Sequence, residues 1–164
     1  MRLPLTLLLL VCATGLAQGA APSAAPPRSP LQPGQVWTLE AVTAEGETFQ
    51  TTLRLGRQPP QGTPVSYLAD RGVMLLDVAH ASLIALDVAD AQDGGLALAC
   101  AYVGPLEGQR FGGVLAAAPL EGLPPLLEVA LAVFEVATTP EDRAEASAEV
   151  GLGRCTLTLK QESA

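Results

Sequence analysis

The sequence predicts an all-β domain, a small antiparallel barrel or sandwich of about seven to nine short strands, with one short helix near residues 140–149. Three observations support this fold class. Apolar and polar residues alternate with period two from Trp37 onward, and clusters of Gly, Pro and Asp separate the apolar segments at regular spacing. Helical periodicity is too scarce for a βαβ fold.

The first two strands are predicted as a hairpin. Trp37, Leu39 and Ala41 alternate with polar residues, and the same pattern resumes after a turn in residues 49–55. Alternate side chains of a strand lie on opposite faces, so each of these strands is expected to bury one face.

The later strands are bounded by turn residues. In residues 96–103, leucines, Cys100 and Tyr102 share one face and small alanines occupy the other. The C-terminal strand places Cys155, Leu157 and Leu159 on one face and polar residues on the other. The strands predicted after the hairpin are residues 65–70, 72–79, 82–88, 96–103, 111–117 and 153–161.

Residues 126–138, LLEVALAVFEVAT, fit two structures. At period two, one face of a strand would carry Leu127, Val129, Leu131 and Val133. The positions of Glu128 and Glu135 are accommodated more easily in a helix. We interpret the segment as a strand.

The helix near residues 140–149 is predicted from its first turn. Thr139 is a suitable N-cap, Pro140 suits the first helical position, and Glu141 and Asp142 favour the positive end of the helix dipole. Gly151 or Gly153 is expected to end it.

The N-terminus has the pattern of a secretory signal peptide. Arg2 precedes an apolar run, and Ala17 and Gly19 each offer a small residue at a cleavage position, so residues 1–17 are the predicted leader, with cleavage after Ala17 or after Gly19. Cys12 resembles a lipobox cysteine, but Val11 departs from the Gly, Ala or Ser normally found before it, so lipid anchoring is the disfavoured alternative.

Residues 18–34 are rich in Pro and Ala and predict a flexible tether, which leaves 35–164 as the single β domain. No long uncharged run follows the leader, so no transmembrane segment is expected. The protein is therefore expected to be exported to the periplasm, the cell envelope or the medium.

The two remaining cysteines, Cys100 and Cys155, predict a disulfide. Both lie on the core faces of their strands, and an oxidising compartment favours pairing. This would place the two strands beside each other or across the core.

Charge excludes two classes of partner. A net charge of −8 with no basic stripe argues against nucleic acid and against anionic lipid. The composition, with one Lys and abundant Ala, Gly, Pro and Leu, suits a GC-rich bacterial genome.

No catalytic, cofactor or metal site is predicted. His80, the single histidine, stands near Asp77 and Ser82, but sequence adjacency is not triad geometry, and the segment predicts a hairpin turn. Asp87, Asp90 and Asp93 lack the spacing of a calcium loop and predict a solvated turn.

Gly34-Gln35-Val36-Trp37 resembles the start of calycin barrels, the lipocalin- and avidin-like proteins, in which a Trp closes one end of the barrel and a basic residue from the last strand packs over it. The resemblance implies a barrel that carries a small apolar ligand, with Trp37 and either Arg154 or Lys160 as the barrel-end pair. The small number of aromatic residues departs from that pattern.

The PGQVWT and CTL segments are also similar to a family of small exported bacterial proteins, a likeness that implies no function. We therefore expect an exported, non-enzymatic binding or structural module that contacts an envelope protein. The alternative is a calycin-like carrier of a small apolar ligand, and an enzyme ranks third.

Overall fold

The period-two segments fold into eight antiparallel strands of one curled sheet, a half-barrel, in a computed structural model that describes residues 29–161. The predicted all-β antiparallel class is confirmed, as a curled sheet and not a sandwich. The strands are β1 (Val36–Val42), β2 (Thr48–Arg54), β3 (Val65–Leu68), β4 (Gly72–Asp77), β5 (Ser82–Asp87), β6 (Ala97–Val103), β7 (Arg110–Ala118) and β8 (Gly153–Gln161).

The last strand lies between the first strand and β7. The order across the sheet is β2-β1-β8-β7-β6-β5-β4-β3. The two edge strands approach each other where Leu55, just after β2, forms an isolated bridge with Ala69, just after β3. This bridge brings the two edges of the half-barrel together at one end.

The concave face of the sheet holds the main core. Trp37, Leu39, Leu83 and Leu157 are fully buried there, as the alternation predicts. The indole ring of Trp37 stacks on the ring of Phe111, with the centroids 5.9 Å apart. Burial of such side chains stabilises each by about 1.5–3 kcal/mol relative to exposure.

Residues 126–138 are not a strand, and this prediction was wrong. Residues 126–136 belong to helix α1 (Leu123–Val136), whose first turn accommodates prolines. Ala130 and Val133 of α1 are buried in a second core, against the convex face of β6 and β7. The alanines on that face of β6 let the helix approach closely, so β6 is buried on both faces.

The helix predicted near residues 140–149 is confirmed. Helix α2 spans Pro140–Glu149, and the Thr139 side chain accepts a hydrogen bond from the Asp142 backbone N–H. Gly151, with φ of +72°, follows the end of the helix in the left-handed conformation. Within residues 29–161, neither helix has the length and apolar character needed to cross a membrane.

The packed structure begins before Gln35. Leu31 is 1% exposed and packs in the main core, and the Ser29 hydroxyl lies 3.3 Å from the Tyr67 hydroxyl. Residues 29–34, the last part of the predicted tether, therefore pack against the domain, because Leu31 supplies an apolar side chain to the core. The predicted leader, Cys12 and the rest of the tether lie outside the described residues.

Candidate functional site

A groove lies between α1 and the convex face of the sheet, and we call it the α1 groove. Its volume is about 450 Å³, within the range of small-molecule sites. Most of its lining is apolar, and its titratable residues are Asp77, His80 and Glu135. It is lined by Pro64, Leu75, Asp77, His80, Ser82, Ile84, Val103, Leu131, Phe134 and Glu135.

The groove exists because α1 covers only part of the convex face. The helix packs on β6 and β7, whereas the neighbouring strands β4 and β5 continue past it. Leu75 and Ile84, which are partners in the β4–β5 register, remain half-buried on this face. Leu131 and Phe134 form the helix side of the groove.

Asp77 and His80 form a pair at one end of the groove. The His80 Nδ1 atom lies 2.7 Å from Asp77 Oδ2, and the His80 backbone N–H donates to Asp77 Oδ1 at 3.2 Å. The side-chain hydrogen bond from His80, followed by the backbone one, lowers the pKa of Asp77 below its ordinary value. Asp77 is therefore ionised at neutral pH.

This pair is a turn motif and not a catalytic triad. His80 lies in the turn between β4 and β5, as predicted, and its side chain is 81% exposed. An aspartate that accepts from the backbone of a nearby turn residue is a common turn stabiliser. Ser82 lines the same groove, but among the described residues its hydroxyl makes no hydrogen bond to His80.

Trp37 and Arg154 do not form the barrel-end pair that the calycin resemblance implies. Trp37 faces the concave core, and its indole N–H donates to Gln35 Oε1 at 3.1 Å. Arg154 alternates with the buried Cys155 and is exposed on the convex face, where it is the register partner of Val42. Lys160, the alternative, is also exposed. The pair fails because the period of two places its members on opposite faces of the sheet.

The predicted disulfide between Cys100 and Cys155 is confirmed, but the strands are placed differently. The Cα atoms are 5.8 Å apart, and both residues are buried on the concave face. Strand β7 lies between β6 and β8, so the bridged strands are second neighbours and not adjacent. The bridge fits an exported, non-cytoplasmic protein.

The aspartates after β5 are held by Arg71. Arg71 Nε donates to Asp87 Oδ2 at 2.8 Å, and Arg71 Nη2 donates to Asp90 Oδ2 at 3.1 Å. Asp87 also accepts from the Ala89 backbone N–H, so this loop is less solvated than the sequence predicts. Asp93 lies in the short 3₁₀ turn Asp90–Asp93, and within residues 29–161 no cluster of three or more metal-ligating side chains forms.

The residues of the α1 groove were not predicted as a site. Their proximity depends on α1, a segment whose period-two pattern predicts a strand. The available signal was the pair Pro124 and Pro125, which is typical of a first helical turn followed by an apolar helix.

Comparison with protein-family models, with curated proteins and with solved structures found no match to this chain.

Proposed function

We propose that the protein is an exported, non-enzymatic binding module of the bacterial cell envelope. Its ligand is a small apolar molecule with a positively charged end, held in the α1 groove. The single observation that carries the proposal is the groove itself, a mostly apolar concavity of about 450 Å³ whose lining includes the carboxylates of Asp77 and Glu135.

The apolar surface favours a ligand with a hydrocarbon part. Leu75, Ile84 and Leu131 line the groove and remain half-buried, so a ligand that covers them removes further apolar surface from water. The free energy gained on such burial is about 25 cal/mol per Å².

Charge favours a cationic end group. Asp77 and Glu135 both line the groove, and His80 is the basic residue among the groove's lining residues. Because Asp77 is ionised, an ammonium group beside it is attracted, whereas a fatty-acid carboxylate is repelled.

The position of the ligand groove on the outside of the half-barrel distinguishes this proposal from the calycin-like alternative. A calycin-like carrier holds its ligand on the concave side. There, Trp37, Leu39, Leu83 and Leu157 retain no exposed surface, so a ligand would have to displace them. The convex groove requires no such displacement.

A dye-displacement titration tests the proposal. The mature protein is titrated with the neutral apolar dye Nile red, and dodecylamine and dodecanoate then compete for the site. We expect saturable dye binding that dodecylamine displaces at lower concentration than dodecanoate.

Two variants on the same helix provide the matched control. Leu131→Ser alters the groove, whereas Val129→Ser alters an exposed position of α1 outside it. We expect Leu131→Ser to weaken dye binding about tenfold and Val129→Ser to leave it unchanged, with circular dichroism confirming that both variants fold. Equal affinity of Leu131→Ser and the parent protein would overturn the proposal.

A further inference from the structure

A second groove, which we call the arginine groove, lies on the convex face between α2 and strands β7 and β8. Its volume is about 550 Å³. Three of its lining residues are arginines: Arg110 at the start of β7, Arg143 on α2 and Arg154 near the start of β8. Residues 29–161 contain seven arginine and lysine side chains, and three of the seven line this groove.

The strand alternation fixes two of these arginines on the convex face. Arg110 precedes Phe111, and Arg154 precedes Cys155, and both following residues are buried in the concave core. Arg110 is the register partner of Thr158, four residues beyond Arg154 on β8. At about 3.4 Å per residue the Cα atoms of the two arginines are roughly 14 Å apart along the strands.

The third arginine is held in place by its own contacts. Its guanidinium lies over the ring of Phe134, 5.1 Å from the centroid, and Nη1 donates to the Thr138 carbonyl oxygen at 2.9 Å. Burial raises the pKa of Tyr102, which also lines the groove, and the positive charge of Arg143 opposes that rise. The charge of Arg143 therefore reaches the groove.

The arginine groove contrasts with the acidic character of the whole chain. The net charge is −8, yet no carboxylate from residues 29–161 lines the groove. Within residues 29–161, Arg110, Arg143 and Arg154 form no ion pair with a carboxylate, whereas Arg71 contacts two aspartates. Three like charges around one groove repel one another, and a bound anion would remove that repulsion.

Gly112 leaves room for an occupant. It lines the groove on the same strand face as Arg110, and a Cβ at that position would have no atom within 4 Å.

We propose that the arginine groove binds a small organic anion with at least two carboxylate or phosphate groups. Guanidinium groups bind such oxyanions through paired, charge-assisted hydrogen bonds. The spacing of Arg110 and Arg154 suits two separate anionic groups of one ligand, and the groove is larger than one inorganic ion requires. Its lining residues differ from those of the α1 groove, and the two sites adjoin where Arg143 packs on Phe134.

Isothermal titration calorimetry of the mature protein tests the inference, with citrate as the carboxylate probe, pyrophosphate as the phosphate probe and glucose as the neutral control. We expect saturable binding of citrate or pyrophosphate, weakening with added salt, and none of glucose. The tighter of the two anions identifies the chemistry of the natural ligand.

Matched charge variants complete the test. Arg110→Gln and Arg154→Gln each remove one groove charge, whereas Arg57→Gln removes an exposed charge outside the groove. We expect each groove variant to weaken anion binding about tenfold or more and Arg57→Gln to change it less than about twofold. The inference is overturned if neither anion binds saturably, or if Arg57→Gln weakens binding as much as the groove variants do.

Discussion

Cys100 and Cys155 lie on strands that β7 separates, yet their Cα atoms are 5.8 Å apart. Two strand spacings in a flat sheet would amount to about 9.6 Å. The sheet therefore bends sharply at β7, and the bridge joins β6 and β8 across the concave side of that bend. Gly113, the register partner of Cys155, lies at the bend and has no side chain to obstruct it.

Loss of the disulfide should destabilise the fold. The bridge closes a loop with a sequence separation of 55 residues. We expect Cys100→Ser or Cys155→Ser to lower the free energy of unfolding by about 2–5 kcal/mol, measured by urea denaturation. The double variant should cost little more than either single one, because the second change breaks no further bond. Two reactive thiols in the native parent protein would contradict this account.

Gly113 should tolerate no side chain, whereas its neighbour Gly112 should. A Cβ at Gly113 would lie 2.4 Å from the Ala101 carbonyl oxygen and 3.2 Å from Cys155 Sγ, and a Cβ at Gly112 would contact nothing within 4 Å. We expect Gly113→Ala to lower the unfolding free energy by about 1–3 kcal/mol and Gly112→Ala to change it by less than about 0.5 kcal/mol. Thermal denaturation of the two variants side by side measures the difference, and equal stability would show that the backbone moves away without cost.

Arg71 should matter through the buried carboxylate of Asp87. Asp87 is 3% exposed, and Arg71→Ala leaves its carboxylate without a cation. We expect a loss of about 1–3 kcal/mol, less than for a fully buried pair because the Arg71 side chain is 33% exposed. Asp90→Asn is the control, since Asp90 is 77% exposed and its pair should contribute less than about 1 kcal/mol. If chemical denaturation shows that Asp90→Asn lowers the unfolding free energy more than Arg71→Ala does, Arg71 does not act mainly through Asp87.

Asp77 should titrate below its ordinary pKa because His80 donates hydrogen bonds to its charged form. A carboxylate whose pKa is lower in the folded state stabilises the fold above its unfolded pKa and loses that contribution as pH falls through its folded pKa. NMR titration of the Asp77 carboxyl carbon should show the low value, and His80→Ala should raise it toward normal. Identical titration curves for the parent and His80→Ala proteins would exclude the His80 side chain as the cause.

Leu31 should contribute to stability although it lies in the segment predicted as a tether. It is 1% exposed in the main core, so Leu31→Ala should lower the unfolding free energy by about 2–4 kcal/mol in urea denaturation. Leu68→Ala, at a position 61% exposed, is the matched control and should cost less than about 0.5 kcal/mol. A small effect at Leu31 would mean that residues 29–34 dock only weakly.

Local pattern was sufficient for the strands and for one helix. The alternation around Trp37 and Leu157 identified the buried face of each strand, and this alone placed both cysteines on the concave side. The Thr139 cap and Pro140 identified the start of α2, because capping depends on residues within one turn.

Tertiary structure decided what local pattern left open. Residues 126–138 satisfy period two and helical packing alike, and they form a helix because the alanine face of β6 offers a surface for one. Both grooves depend on the docking of the helices on the sheet, and the sequence does not state the order of the strands in that sheet. Only this docking places Leu75 and Leu131 in one groove and Arg110 and Arg143 in the other. The alternation of side chains along a strand depends on residues that are neighbours in the sequence. The two grooves instead form by packing between elements that are far apart in the sequence.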